Sequence, residues 1–177
     1  MKKIEIRELT VDDQEAFLEY VHVCQNDYTK FGVFARHRYE NFNTDDFESF
    51  VEGLREEATF PKDKDSSRQI SYFAFEGQRI LGSVRCRLDI EKENLVEFGG
   101  HIGYDVSEYA RGNKIGQKLC KFALHKYSSL NINNILIVID EDNYASRHIV
   151  EKLGGELENI ITEPVEKVKL ARYWIKL

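Results

Sequence analysis

The spacing of apolar side chains changes period several times along this chain, and each change marks a predicted element. Residues 4–9 alternate apolar and polar positions with period two, as a half-buried strand does. Thr10 then heads a helix through Asp12, Asp13 and Gln14, and Ala16, Phe17, Tyr20, Val21 and Cys24 recur at helical spacing. A second helix is predicted over residues 44–57, from Thr44, with Phe47, Phe50, Val51 and Leu54 on one apolar face. Residues 61–67 are polar and read as a solvated connection. Strands are predicted at 70–75 and 80–88, joined by Glu76-Gly77-Gln78-Arg79 as a hairpin turn, and a third strand at 97–106.

The second half alternates strand and helix. Ile115, Leu119, Phe122 and Ala123 form one stripe of a helix over about residues 114–128. Residues 135–139 are apolar throughout, the mark of a strand covered on both faces. Strand, helix, strand in that order predicts a right-handed crossover and a parallel pair. Asp140, Glu141, Asp142 and Asn143 offer caps to a further helix, Ala145, Ile149 and Leu153 share its stripe, and Gly154-Gly155 ends it. Strands at 156–161 and 167–176 complete the reading. The expected fold class is α/β: one domain over residues 1–177, built on a six- to seven-stranded mixed sheet with a central parallel pair and helices on both faces.

Composition narrows the function classes. A chain of 177 residues, 42% hydrophobic and 12% aromatic, can bury one sizeable core. Thirty-one acidic against 25 basic residues leave a net charge of −6, which argues against a general nucleic-acid or anionic-membrane surface. Cys24, Cys86 and Cys120 are odd in number and have no partner at metal-ligand spacing, so reduced thiols are expected, and no metal site. His22, His37, His125 and His148 have no ligand spacing either. The N-terminal residues alternate charged and apolar types, and no run approaches the ~18 apolar residues of a membrane span. A soluble, cytoplasmic protein is expected.

The richest segment runs from Gly103 to Leu119. It reads as a strand, a basic glycine-containing turn and the first turn of an amphipathic helix, which is the local architecture of an anion site. Gly116-Gln117-Lys118 lacks the Gly-Lys-Ser/Thr ending of a metal-dependent nucleotide hydrolase. Arg111-Gly112-Asn113-Lys114-Ile115-Gly116 instead resembles the acyl-CoA loop of the GNAT superfamily of N-acetyltransferases, with Lys114 at the middle glycine. The segment from Asp142 to Gly155 is similar to the Asn-x-Ala-Ser…Glu-Lys-x-Gly segment of the branch related to ribosomal-protein acetyltransferases. Gly99 to Tyr104 and Arg172-Tyr173-Trp174-Ile175 resemble a bacterial group within that superfamily, and the element order matches over nearly the whole chain.

The resemblance implies acetyl-CoA as donor and a primary amine, of a small molecule or a protein, as acceptor. It implies pyrophosphate on the backbone N–H groups of Arg111, Gly112, Asn113, Lys114, Ile115, Gly116 and Gln117, with Arg111 or Lys114 adding charge. It lays the pantetheine along Tyr104, Asp105 and Val106, where the strand bulges and splays, with a backbone N–H there as the oxyanion donor. Glu97 is the first candidate base; His101, on the same face of the predicted strand, is the second. Each also has an ordinary reading, as a surface carboxylate and as a hydrogen-bonded structural imidazole. The family's thiolate-protonating Tyr falls at Val150, which leaves Tyr144, Ser146 or water as the acid. Asn143 and Ser146 contact pantetheine by resemblance, whereas by local physics they cap a helix. Tyr28, Phe31, Phe34, Tyr39 and Phe42 line a substrate pocket or pack as core. A non-catalytic acyl-CoA-binding module is the second reading, supported by Val150. A monomer or a homodimer fits either one.

Overall fold

Two antiparallel sheets divide the chain where the sequence predicts a parallel pair. The computed structural model describes residues 3–40, 42, 46–63, 66–92 and 94–177. One sheet has the order β1-β2-β3-β4, from β1 (Ile4–Arg7), β2 (Gln69–Glu76), β3 (Arg79–Arg87) and β4 (Ile102–Val106). The other has the order β5-β7-β6, from β5 (Asn134–Asp140), β6 (Glu156–Thr162) and β7 (Lys169–Lys176). Every ladder among the described strands is antiparallel. Between β4 and β5 there is only an isolated bridge, Gly100↔Ile137, so the expected parallel pair is not a hydrogen-bonded one.

Helices α1 (Gln14–Gln25), α2 (Val33–Tyr39) and α3 (Phe47–Glu56) enclose one core with β2 and β3. Its centre is Phe17, with no exposed surface, whose ring lies 5.0 Å from Phe50 and 5.7 Å from Phe73. Helices α4 (Ile115–Ser129) and α5 (Tyr144–Lys152) pack on a second core containing Val84, Leu119, Tyr127, Ile135 and Tyr173. The sheets are therefore sandwiched, and each fully buried Phe or Leu contributes roughly 1.5–3 kcal/mol by area.

Two local expectations change. The strand predicted at 97–106 starts only at Ile102, because Leu95–Gly99 winds into one π-helical turn closed by the Gly100 N–H on the Leu95 carbonyl at 2.7 Å. Gly100 has φ +66°, and a Cβ there would lie 2.7 Å from the Leu136 oxygen, so the turn abuts β5 without space for a side chain. Helix α2 arises from the segment read only as an aromatic cluster. The predicted start at Thr44 lies outside the described residues, as do the side chains of Phe31 and Phe34. Among the described residues, no helix is long and apolar enough to cross a membrane.

Candidate active site

The free edge of β4 follows from its register. Tyr104 pairs with Val84 and Asp105 with Ser83 on β3. Arg87 donates its N–H to the His101 carbonyl at 2.9 Å, and Ser107 donates to the Leu81 carbonyl at 2.9 Å. Backbone groups alternate sides along a strand, so Gly103 and Asp105 turn theirs toward β3, while Ile102, Tyr104 and Val106 turn theirs toward β5. No ladder receives these groups. Of the predicted pantetheine segment, Tyr104 and Val106 thus offer backbone groups to a ligand, and Asp105 offers its side chain.

The closed end of this gap is pinned by His101, 6% exposed. Its N–H donates to the Leu136 carbonyl at 2.7 Å, and its Nδ1 accepts the Leu136 N–H at 3.0 Å. Its carbonyl also accepts the Tyr127 hydroxyl at 2.8 Å. Burial, reinforced by the Arg87 charge, lowers the imidazole pKa to about 4, and the ring is neutral at physiological pH. His101 is thus a hydrogen-bonded bracket between the two sheets. Glu97 is exposed in the π turn, off the strand on which the sequence placed it.

At the open end, the turn after β4 delivers the chain to α4. Gly112, at φ +78°, has open space where a Cβ would project. Lys114, at φ 61° and ψ 18°, holds the left-handed conformation that a glycine would hold without strain. The N–H groups of Ile115, Gly116 and Gln117 open the helix and have no intrahelical acceptor. Gly116 serves packing: a Cβ would lie 2.9 Å from Tyr104 Cε2 and 3.1 Å from Ile149 Cδ1. Asn113 turns its amide back to the Arg111 carbonyl at 3.2 Å. The Arg111 guanidinium pairs with Asp27, 3% exposed, and donates to Thr29 Oγ1 at 2.8 Å. Across the gap, Lys30 pairs with Asp142. The α1–α2 loop is thereby fastened to both rims of the opening.

Inside, one wall is built around the Asp105 carboxylate, whose side chain is 8% exposed. It accepts the Tyr20 hydroxyl, accepts the Ser83 hydroxyl at 2.7 Å, and lies 3.8 Å from Arg38 Nη1. Burial and the Asp105 charge hold the Tyr20 hydroxyl well above its ordinary pKa, so it stays a donor. On the opposite face of β4, the Tyr104 hydroxyl is buried without a hydrogen bond of standard geometry, beside Ser146 and Cys120, and burial raises its pKa too. Tyr144 is 72% exposed at the start of α5. Asn143 caps that helix by accepting the Ser146 N–H at 3.1 Å. Val150 is fully buried against Gly155.

Sequence reasoning missed the Asp105 carboxylate, Tyr20, Arg38, Ser83 and Arg85. One signal was available: Ser83, Arg85 and Arg87 recur with period two in a strand otherwise apolar, marking a polar stripe on a buried face. Among the described residues, no group of three or more His, Cys, Asp or Glu stands within reach of a shared metal ion.

No curated protein matches the chain. Over its full length it is similar to a GNAT-family acetyltransferase from Streptococcus pneumoniae, at 15% identity and TM-score 0.67, covering 99% of each chain. It is similar to the ribosomal-protein-S5-alanine acetyltransferase of Vibrio fischeri, at 12% identity and TM-score 0.72, covering 99% of this chain and 94% of that one. It is also similar to the microcin C7 self-immunity acetyltransferase MccE, solved with acetyl-CoA and AMP, at 15% identity and TM-score 0.67, covering 100% and 94%. Identities this low bear on the fold. The model of the acetyltransferase (GNAT) domain matches residues 3–156, most of the chain, and the protein belongs to the GNAT acetyltransferase family.

Proposed function

We propose that this acetyltransferase moves the acetyl group of acetyl-CoA directly to a primary amine, with Asp105 as base and Tyr104 as acid. The observation that carries the reading is the unpaired edge of β4 ending at the N-terminus of α4. A pantetheine arm there finds the backbone groups of Tyr104 and Val106, and its pyrophosphate finds the first N–H groups of α4 and the Lys114 charge. The amine enters from the α1–α2 side, and Asp105 removes the proton that an ammonium of pKa near ~10.4 carries at neutral pH. The nitrogen lone pair attacks the thioester carbon, and the oxyanion takes a hydrogen bond from a β4 N–H on the gap side. The carbon–sulfur bond then breaks, the thiolate takes the Tyr104 proton, and the surplus proton left on the amide nitrogen passes through water to the Tyr104 phenolate, while Asp105 releases its proton to solvent. Asp105 and Tyr104 are consecutive in an extended strand, so their side chains flank the thioester from opposite faces.

Replacing Asp105 by Asn keeps the shape and removes the base. Thiol release with an amine panel should fall roughly 100- to 10,000-fold in kcat, with acetyl-CoA affinity retained. An Asp105→Asn variant with undiminished kcat removes Asp105 from the mechanism. Tight acetyl-CoA binding by the parent protein without amine-dependent thiol release favours the carrier reading instead.

A further inference from the structure

We propose that Tyr20 is a positioning residue for acetyl transfer, holding with Ser83 the Asp105 carboxylate in the orientation that takes the amine proton; this rests on the reading of Asp105 as the base. Tyr20 lies on the buried stripe of α1 with Phe17, Val21 and Cys24, and has no exposed surface. The rings of Phe17, Tyr39 and Phe73 surround it, with centroids 6.2, 5.7 and 6.1 Å away. A phenylalanine would fill the same ring volume, and a hydroxyl in these surroundings carries a desolvation cost that a hydrogen bond must offset. That hydrogen bond goes to Asp105 Oδ1, 85 residues further along the chain. Packing explains the ring, and the carboxylate explains the hydroxyl.

Both carboxylate oxygens are held, each from a different element. Oδ1 accepts the Tyr20 hydroxyl from α1, and Oδ2 accepts the Ser83 hydroxyl from β3 at 2.7 Å. The Ser83 proton is itself directed: Arg38 donates to Ser83 Oγ at 3.1 Å, which turns the hydroxyl hydrogen toward Asp105. Arg38 stands 3.8 Å from the carboxylate and supplies charge without fixing its plane. One donor on each oxygen fixes that plane and leaves a lone pair on both for the ammonium proton. Cys24 of α1, Tyr39 of α2 and Arg85 of β3 also face the carboxylate, and Glu57, at the end of α3, bears on Arg38. Burial pushes Cys24 and Tyr39 up to about 12 and lowers Arg85 to about 9, so none of the three changes charge near neutral pH.

The test is Tyr20→Phe, with thiol release from acetyl-CoA and an amine taken from the panel followed as a function of pH. Misplacing the base should lower kcat roughly 10- to 100-fold. Losing one hydrogen bond to a charged group should move the acid limb of the kcat profile up by roughly one pH unit. KM for acetyl-CoA should change less than about twofold. A residue that only packs would alter Tm and leave the pH profile in place. Ser83→Ala removes the other donor and should move the limb in the same direction; it decides the proposal if Tyr20→Phe fails to fold. Added to Asp105→Asn, Tyr20→Phe should lower kcat no further. The parent's kcat and acid limb in Tyr20→Phe, beside lost activity in Asp105→Asn, overturn the positioning role and leave the base standing. Undiminished kcat in Asp105→Asn overturns the base reading, and the positioning role with it.

Discussion

Lys114 gives the cleanest separation of strain from charge in the proposed acyl-CoA loop. Its left-handed backbone, φ 61° and ψ 18°, costs a residue with a Cβ roughly 1–2 kcal/mol. Glycine avoids that cost but loses roughly 0.5–1 kcal/mol more chain entropy on folding. Lys114→Gly should therefore stabilise the ligand-free protein by about 0.5–1 kcal/mol, a rise in Tm of roughly 1–4 °C for a chain of this length. Lys114→Ala keeps the strain and should leave Tm within about 1 °C. Both variants lose the ammonium, and one charge pair at 4 Å in water is worth about 1 kcal/mol. Acetyl-CoA Kd should thus rise roughly fivefold in each at low salt, and less at high ionic strength. Thermal unfolding and calorimetric titration at two salt concentrations measure both effects. Equal Tm values for the Gly and Ala variants would refute the strain reasoning, and an unchanged Kd in both would refute the charge reasoning.

Three further outcomes follow from the same geometry. His101→Ala leaves the Leu136 N–H without its acceptor and should cost about 1–3 kcal/mol. Because the folded-state pKa of His101, about 4, is depressed below the ordinary 6.5, its contribution is complete above pH 6.5 and is lost as pH falls toward 4. The gap amounts to roughly 3 kcal/mol, read as the extra acid sensitivity of the parent over His101→Ala in urea unfolding. Asp27→Asn should strand the Arg111 charge and destabilise by roughly 2–4 kcal/mol, and adding Arg111→Gln should recover part of the loss in a double-mutant cycle. Full additivity of the two changes would argue that the pair is not formed. Gly116→Ala forces a methyl against Tyr104 and Ile149 and should cost about 1–3 kcal/mol and weaken acetyl-CoA binding; wild-type stability and affinity would show that this packing is slack.

The elements legible in the sequence are those set by local chemistry. The α4 stripe, the apolar run of β5, the hairpin turn with Gly77 at φ +66° and the Asn143 cap all stand where periodicity and turn residues put them. So does the strand–turn–helix that ends at Gly116. What escaped depends on distant partners. Nothing local to the loop announces that Arg111 pairs with Asp27, because the partner is 84 residues away. Glu97 was placed on a strand because nothing local announces that Gly100 must tuck under Leu136. Asp105 was read through its backbone, since the register that turns its carboxylate toward Tyr20 and Ser83 is fixed only when β4 docks on β3.

The unpaired edge of β4 also changes what the donor substrate is to the fold. Beyond the Gly100↔Ile137 bridge and its His101–Leu136 hydrogen bond, no ladder joins the two sheets among the described residues, and in the proposed mechanism an arm lying between β4 and β5 would supply the main-chain pairing that neither gives the other. In that mechanism the donor would act as a surrogate strand that the enzyme borrows once per turnover. Amide protons of Tyr104 and Val106 should exchange quickly in the empty protein and slowly in the loaded one.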